Sequence, residues 1–433
     1  MPLSQCPVPT LGRSSQGLAF ELASKIFLVI LCQQCVFAQT FNVIHTFSGG
    51  ADGANPYAGL TVDRAGNLYG TTTRGGVGYG TVFKLKHAGS GWILQTLYSF
   101  KGNQLGDGAV PESRVVFGPD GSLYGTTLQG GGTNCGSGSA GCGTVFRLTT
   151  PPSVCEAASC SWTETILYRF TSGFNGRSPL GEVVFDSAGN LYGTTFAGGG
   201  RNVGTVYKLI RTNGGWSEQI IYSFLGRNDG EGPHDGSTFD GLGNLYGTAT
   251  TTVFELLPSG SGWTEDTLYQ FQAIASYAGV ILDGSGNLFG GTSWDFGQTG
   301  GAVYELSSSG SGWTEQTLYS FPFGTNGGAG PFASLAFDAA GNLYGTTNGD
   351  PGNGCGGYGC GTVFELTPNG NGTWSNMFLH EFSGGSDGAN PISNVVFDSS
   401  GKLYGTAAFG GATGISCNPQ AGNQCGVVWQ ITP

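Results

Sequence analysis

Charge is scarce in this chain. Asp, Glu, Lys and Arg make up only 10% of its 433 residues, and acids outnumber bases 28 to 16 for a net charge of −12. That excludes duplex nucleic acid and anionic membranes as partners held by bulk electrostatics, because both require a basic face. Helix-building runs of Ala, Glu, Lys and Leu are nearly absent. Histidine occurs only four times. No phosphate-binding loop, zinc-protease helix, dinucleotide fingerprint or Ser-His-Asp order is present. Long apolar runs are also missing. "IFLVILC" at 26–32 is the strongest, and seven residues cannot cross ~30 Å of hydrocarbon, for which ~20 are needed. Arg13 and Lys25 precede it and "VFA" at 36–38 follows. Residues 1–38 therefore read as a secretory signal peptide cleaved near Ala38, which places the protein in an extracellular or periplasmic compartment. With the signal removed, no membrane span is expected.

Glycine is plentiful, at 82 residues, and aromatics reach 12%. Without a Gly-X-Y period the glycine does not mean collagen, and the aromatics argue against disorder. The combination suits a turn-dense all-β protein. One phrase dominates it: "GNLYGTT" at 66–72, then "GSLYGTT" at 121–127, "GNLYGTT" at 189–195, "GNLYGTA" at 243–249, "GNLFGGT" at 286–292, "GNLYGTT" at 341–347 and "GKLYGTA" at 401–407. A repeat at such intervals is an architecture.

Each phrase sits in a unit of four short strands, a to d, exemplified by 179–224: "GEVVFD", "NLYGTTF", "GTVYKL" and "WSEQIIYSF". The a–b join "DSAGN" is a tight hairpin. Asp186 bonds its own downstream backbone and Gly189 supplies a positive φ. The equivalent aspartates Asp63, Asp240, Asp283, Asp338 and Asp398 are read as turn formers, with Asp120 in a variant turn. Trp92, Trp162, Trp216, Trp263, Trp313 and Trp374 open the d strands and are expected to fill the gaps between neighbouring sheets. Seven a–b–c sets have only six d strands after them. The missing one is at the N-terminus, where "TFNVIHTFSGGADGANP" (40–56) matches "MFLHEFSGGSDGANP" (377–391). Strand 41–47 should therefore complete the last sheet and close a ring, which removes the open ends. The expected fold is a seven-bladed β-propeller of four-stranded blades over residues 40–433.

"GNLYGTT…GG…GTVFKL" resembles the GloVer-type tandem-repeat (choice-of-anchor) family of secreted bacterial proteins, over nearly the whole mature chain. That family is defined by its repeat, so the resemblance implies no activity. The "D-x-x-G-N-L-Y" hairpin is also similar to NHL-like and streptogramin-lyase-like propellers.

In a propeller the d–a and b–c loops share one face, and here that face carries the elaboration. Asp52, Asp107, Asp229 and Asp387 recur at one position in four d–a loops. They are candidate ligand-binding residues that could meet a hydroxylated ligand or hold Ca²⁺, though Asp-Gly also simply makes turns. No other cofactor is implied. Cys135 and Cys142, Cys155 and Cys160, Cys355 and Cys360, and Cys417 and Cys425 form four local pairs, read as disulfides of an exported protein. The b–c loop of blade 4 is almost absent in "LYGTATTTVFEL", so the rim should be low there. His234 and Asp235, near Glu231, are the weak candidates for a catalytic pair. Glu112 and Glu182 begin strands a and should line the channel mouth. The resulting expectation is a monomeric, secreted, non-enzymatic module that binds a glycan or cell-surface protein. The alternative is a polysaccharide or small-molecule lyase or hydrolase with its site on the same face.

Overall fold

Every letter of the repeated phrase has a physical task in the computed structural model. The structure describes residues 39–432 except 133–134, 136–139, 152–161, 172, 273–274, 294–299, 311, 323–328, 349–354, 356–359 and 419–421. The expected signal segment lies outside the described residues. So do Cys155 and Cys160, expected as a disulfide pair. In the third repeat, Oδ1 of Asp186 accepts from the backbone N–H groups of Ala188 and Asn190, and Oδ2 accepts from the Asn190 amide and the Tyr192 hydroxyl. Gly189 takes φ +80°, which a side chain would resist. Leu191 is fully buried. Gly193 has no room for a Cβ, which would lie 2.5 Å from the Tyr207 hydroxyl. Thr194 donates to the carbonyl of Asp235 in the next blade, and Thr195 pairs with Thr205 at 2.8 Å.

The described sheets form seven blades. Blade 1 runs Thr61–Val62, Leu68–Thr72, Thr81–Ala88 and Gly91–Ser99 from axis to rim. Blades 2 to 6 repeat this order, and blade 6 adds a short strand, Ala329–Pro331, beside its b strand. Blade 7 takes Val396–Phe397, Leu403–Ala407 and Val427–Thr432 from the C-terminal end and Thr40–Thr46 from the N-terminal end. The closing strand pairs antiparallel, Thr40 with Thr432 and Thr46 with Val427. It lies one residue earlier than the expected 41–47, with the Phe47 N–H still bonded to the carbonyl of Gly426.

The innermost strands are shorter than expected. "GEVVFD" contributes only Val184–Phe185. The carbonyl of Gly181, just before it, accepts from Thr126 of blade 2. The chain here bonds to the neighbouring blade instead of extending its own ladder. The c–d hairpins are longer than expected, reaching Ala88 and starting again at Gly91. Every c–d pair also carries a bulge after its valine, and blade 7 has one between Val43 and His45. In blade 1, Val82 faces Tyr98 but Phe83 faces Thr96, so Leu97 is the extra residue and is buried.

The core is a ring of seams between sheets. Tyr69, Val82 and Phe100 of blade 1 pack on Val115, Leu123 and Phe146 of blade 2. The pattern recurs around to Phe47, Tyr404 and Val428 of blade 7 against Leu60, Leu68 and Phe83 of blade 1. Each buried Phe contributes about 1.5–3 kcal/mol. The tryptophans fill gaps as expected. Trp263 packs edge-on against Tyr192 of the preceding blade at 5.8 Å, and Trp92 does the same to Tyr404. Thr406 of blade 7 donates to the carbonyl of Ala58 in blade 1 at 2.9 Å, stitching the closure.

Candidate functional site

A recurring lock holds the start of most blades. The glycine opening strand c of one blade receives the proline that precedes strand a of the next. A Cβ on Gly80 would lie 2.7 Å from Pro111, on Gly143 2.6 Å from Pro179, on Gly204 2.6 Å from Pro233, on Gly361 2.4 Å from Pro391 and on Gly426 2.6 Å from Pro56. Where Thr251 replaces this glycine, Ser276 replaces the proline and donates its N–H to the carbonyl of Thr250. Proline fixes its own φ, so in the blades that carry it the residues after it are delivered to the axis in the same way. Those residues vary in chemistry around the ring. The first after the lock is Tyr57, Glu112, Leu180, His234, Tyr277, Phe332 and Ile392 in turn.

All seven blades contribute to one cavity of about 100 Å³ at the axial mouth of the loop face. Glu112, Arg114 and Glu182 lie on one side, His234 and Asp235 next, then Tyr277, Phe332 and Ser334, then Asn394 and Tyr57. Arg114 donates Nε to Oε2 of Glu182 at 2.5 Å and Nη2 to Oε1 at 2.7 Å. Burial alone would depress the Arg114 pKa, but Glu182 and then Asp235 more than offset it and hold the guanidinium charged. Asp235 accepts from its own Gly236 N–H at 2.7 Å, from the Gly279 N–H at 2.8 Å and from the Ser334 hydroxyl at 2.8 Å. It ties blades 4, 5 and 6 together. Gly236 and Gly279 leave the space these contacts need, since a Cβ there would press on Glu182 and Ser334.

Burial pushes Glu112 up to about 7. His234 is half-buried. Burial holds its pKa below the usual imidazole range, and the Asp235 charge does not restore it. Its ring meets Tyr277 at 5.2 Å and Phe196 at 6.3 Å, both edge-on, and Tyr277 stacks on Phe332 at 5.1 Å. Across the cavity, Tyr57 packs edge-on against Phe409 and is bonded by the Asn418 side chain, beside Cys417. Val77, Tyr79, Leu105, Phe174 and Leu225 stand exposed on the d–a and b–c loops.

The structure brings His234 and Asp235 together at this cavity with Glu112 and Glu182. Glu231 is separate: it is exposed on its loop, where its carbonyl accepts from Thr250. The four loop aspartates each serve their own loop. Asp52 accepts from the Ser48 N–H and hydroxyl and lies 3.4 Å from His45. Asp387 repeats this with Ser383 and His380. Asp107 accepts from the Tyr98 hydroxyl and the Lys101 N–H, and Asp229 from the Tyr222 hydroxyl and the Leu225 N–H. None of the four bonds to another. Among the described residues no three His, Cys, Asp or Glu side chains are placed to hold a metal ion.

Three of the four expected disulfides pin loops among the described residues: Cys135–Cys142, Cys355–Cys360 and Cys417–Cys425. The fourth expected bridge, between Cys155 and Cys160, is not among them, because Cys155 and Cys160 both lie outside the described residues. The blade 4 rim is low, with Ala249 pairing with Thr252 across a two-residue turn. Tyr57, Arg114, Tyr277, Phe332, Ser334 and Asn394 were not singled out in the sequence. The signal was present: with the seven repeats stacked, the residues after the proline are the ones whose chemistry changes from copy to copy.

Solved structures of low identity are similar to the chain. An ulvan-degrading polysaccharide lyase aligns with TM-score 0.50 at 11% identity, over 85% of this chain and 92% of that one. The PQQ-bound aldose sugar dehydrogenase of Streptomyces coelicolor gives 0.45 at 12%, over 91% and 98%. A gluconolactonase of Xanthomonas campestris gives 0.41 at 14%, over 81% and 94%. No curated protein matches the chain in sequence. The family model of the Gloeobacter/Verrucomicrobia repeat matches residues 12–252 and 248–433, and the chain belongs to that family.

Proposed function

We propose that this protein is an exported, non-enzymatic propeller that binds a glycan at the axial mouth of its loop face. The observation that carries the reading is the contrast between frame and lining. Turn and strand repeat from blade to blade and a proline precedes strand a in every blade but the fifth, while the residues delivered to the axis range from acid and imidazole to aromatic and aliphatic. Aromatic faces beside carboxylate, amide and guanidinium groups are the chemistry that sugar rings require: apolar C–H faces to stack and hydroxyls to bond. The local disulfides suit an oxidising compartment, and no described helix is long and apolar enough to cross a membrane. On this reading Asp52, Asp107, Asp229 and Asp387 shape the loops that frame the ligand.

The test is a thermal-shift panel of polysaccharides with and without Ca²⁺. A ligand at ~100 Kd adds ~2.7 kcal/mol. Tyr57→Ala with Tyr277→Ala should abolish the shift. If that double variant responds as wild type does, the axial site is wrong. Alanine at Asp52, Asp107 and Asp387 together then asks whether the loops themselves bind.

Glu112 supports a second reading, a lyase or hydrolase. A carboxyl near neutrality on the same cavity wall as an imidazole held mostly neutral by burial can exchange protons with a substrate. Prolonged incubation with a bound glycan decides it: shortened chains that vanish in Glu112→Gln favour turnover, and intact chains favour binding.

A further inference from the structure

Among the described residues, the lining of the axial cavity holds more negative than positive charge, and its one cation is engaged. Arg114 is fixed by Glu182 through two hydrogen bonds, and Asp235 adds a second carboxylate to its surroundings. Glu112 is a third carboxyl on the lining, and burial raises its pKa. An anionic ligand would enter against three carboxyl groups, with the guanidinium already held. A neutral one would give Glu112 hydrogen bonds but no counter-charge. The facing wall is aromatic, with Tyr277 stacked on Phe332 and Tyr57 close enough to Glu112 to feel its charge. Ring faces and a buried carboxyl that gives up its proton as the amine enters together attract an ammonium group more strongly than either does alone.

We propose that the group seated in the cavity is a primary ammonium, presented by a glycan built from unacetylated amino sugars. Glu112 is its counter-ion, and the rings of Tyr57, Tyr277 and Phe332 are its walls. This rests on the glycan reading above and narrows it. A lysine side chain presents the same ammonium, so the experiment must separate the two carriers.

Calorimetric titrations of the wild-type protein would use four probes under conditions where the amines are charged: a chitosan hexamer, its fully N-acetylated counterpart, an oligogalacturonate and tetralysine. The chitosan hexamer should bind at least about tenfold more tightly than the acetylated one, or about 1.4 kcal/mol. Glu112→Gln should erase that tenfold difference, with the larger loss falling on the chitosan hexamer. If Glu112→Gln does not fold, Tyr277→Leu serves, with the larger loss again expected for the amine. Equal or tighter binding of the acetylated or anionic glycan overturns the ammonium assignment and leaves the glycan reading standing. Binding of tetralysine without any glycan overturns the glycan reading and keeps the ammonium. Silence from all four overturns both.

Discussion

Gly70 is surrounded so closely that a Cβ would lie 2.6 Å from the Phe83 ring and 2.9 Å from Leu60. Both neighbours are fully buried and have nowhere to retreat. Gly70→Ala should therefore destabilise the domain by about 1–3 kcal/mol through overpacking, read from the urea midpoint. Asp186 makes a different contribution. Its two oxygens accept four hydrogen bonds, and Lys208 lies 3.6 Å away. Asp186→Ala should cost about 2 kcal/mol, while Asp186→Asn, which keeps acceptors for part of the turn, should cost less. Both effects were legible in the phrase, because a hairpin needs its Asp and Gly wherever it sits. The axial residues were legible only in part. Glu112, Glu182 and His234 stood out as acids and a rare histidine at the starts of strands a, whereas Tyr277 and Phe332 resemble any other aromatic until the seven blades converge.

At the scale of one element, the closing strand and the pinned loops carry the clearest expectations. Thr406 is buried, and its hydroxyl is bonded to the Ala58 carbonyl across the closure. Thr406→Val leaves that carbonyl unpartnered and should cost about 1–2 kcal/mol. Thr194→Val, at an internal seam, should cost a similar amount, since the same bond joins consecutive blades there. The measurement is chemical denaturation of the two variants side by side. Replacing Cys417 and Cys425 with serine frees a short loop and should lower stability by roughly 2 kcal/mol. It should also weaken glycan binding, because Asn418 beside the bridge holds Tyr57. Blade 6 carries the comparable Cys355–Cys360 bridge. Its removal should lower stability alone. The bulge in every c–d pair was not legible: a strand's sequence shows alternation, and only the facing strand decides where one residue is extra.

Over the whole molecule, buried carboxyls set a pH dependence. Burial pushes Glu112, Glu164 and Glu218 up to about 7. One oxygen of Glu164 and one of Glu218 have no hydrogen-bond partner, as suits a protonated acid. The folded state then binds more protons than the unfolded chain from about pH 4.5 to 7, so stability falls as pH rises through that window. The turn aspartates act the other way. For Asp63, Asp186, Asp338 and Asp398 burial raises the pKa, but hydrogen bonds to the turn more than offset it and leave it lowered. Their contribution is present above the ordinary Asp pKa and is lost as pH falls through the lowered values. His234 and His380, lowered chiefly by burial, favour the folded state as pH rises through the ordinary imidazole range. The triple variant Glu112→Gln, Glu164→Gln and Glu218→Gln isolates the carboxyl term. Its melting temperature should gain on wild type steadily from about pH 4.5 to 7.5. A constant difference over that range would mean these groups ionise normally.

By itself, the sequence determined the all-β class, the seven units, the order of strands and the ring closure. Each follows from local rules: an Asp-Gly turn, period-two alternation, and an orphan strand at one end that matches the partnerless end of the other. Only the tertiary structure decided which residues meet. The proline lock joins one blade's glycine to the next blade's loop, Asp235 reaches across to Gly279 and Ser334, and the axial cavity takes residues from all seven blades. Those groups lie far apart along the chain, and no local preference encodes their distance. They come together because closure brings seven equivalent positions to one axis.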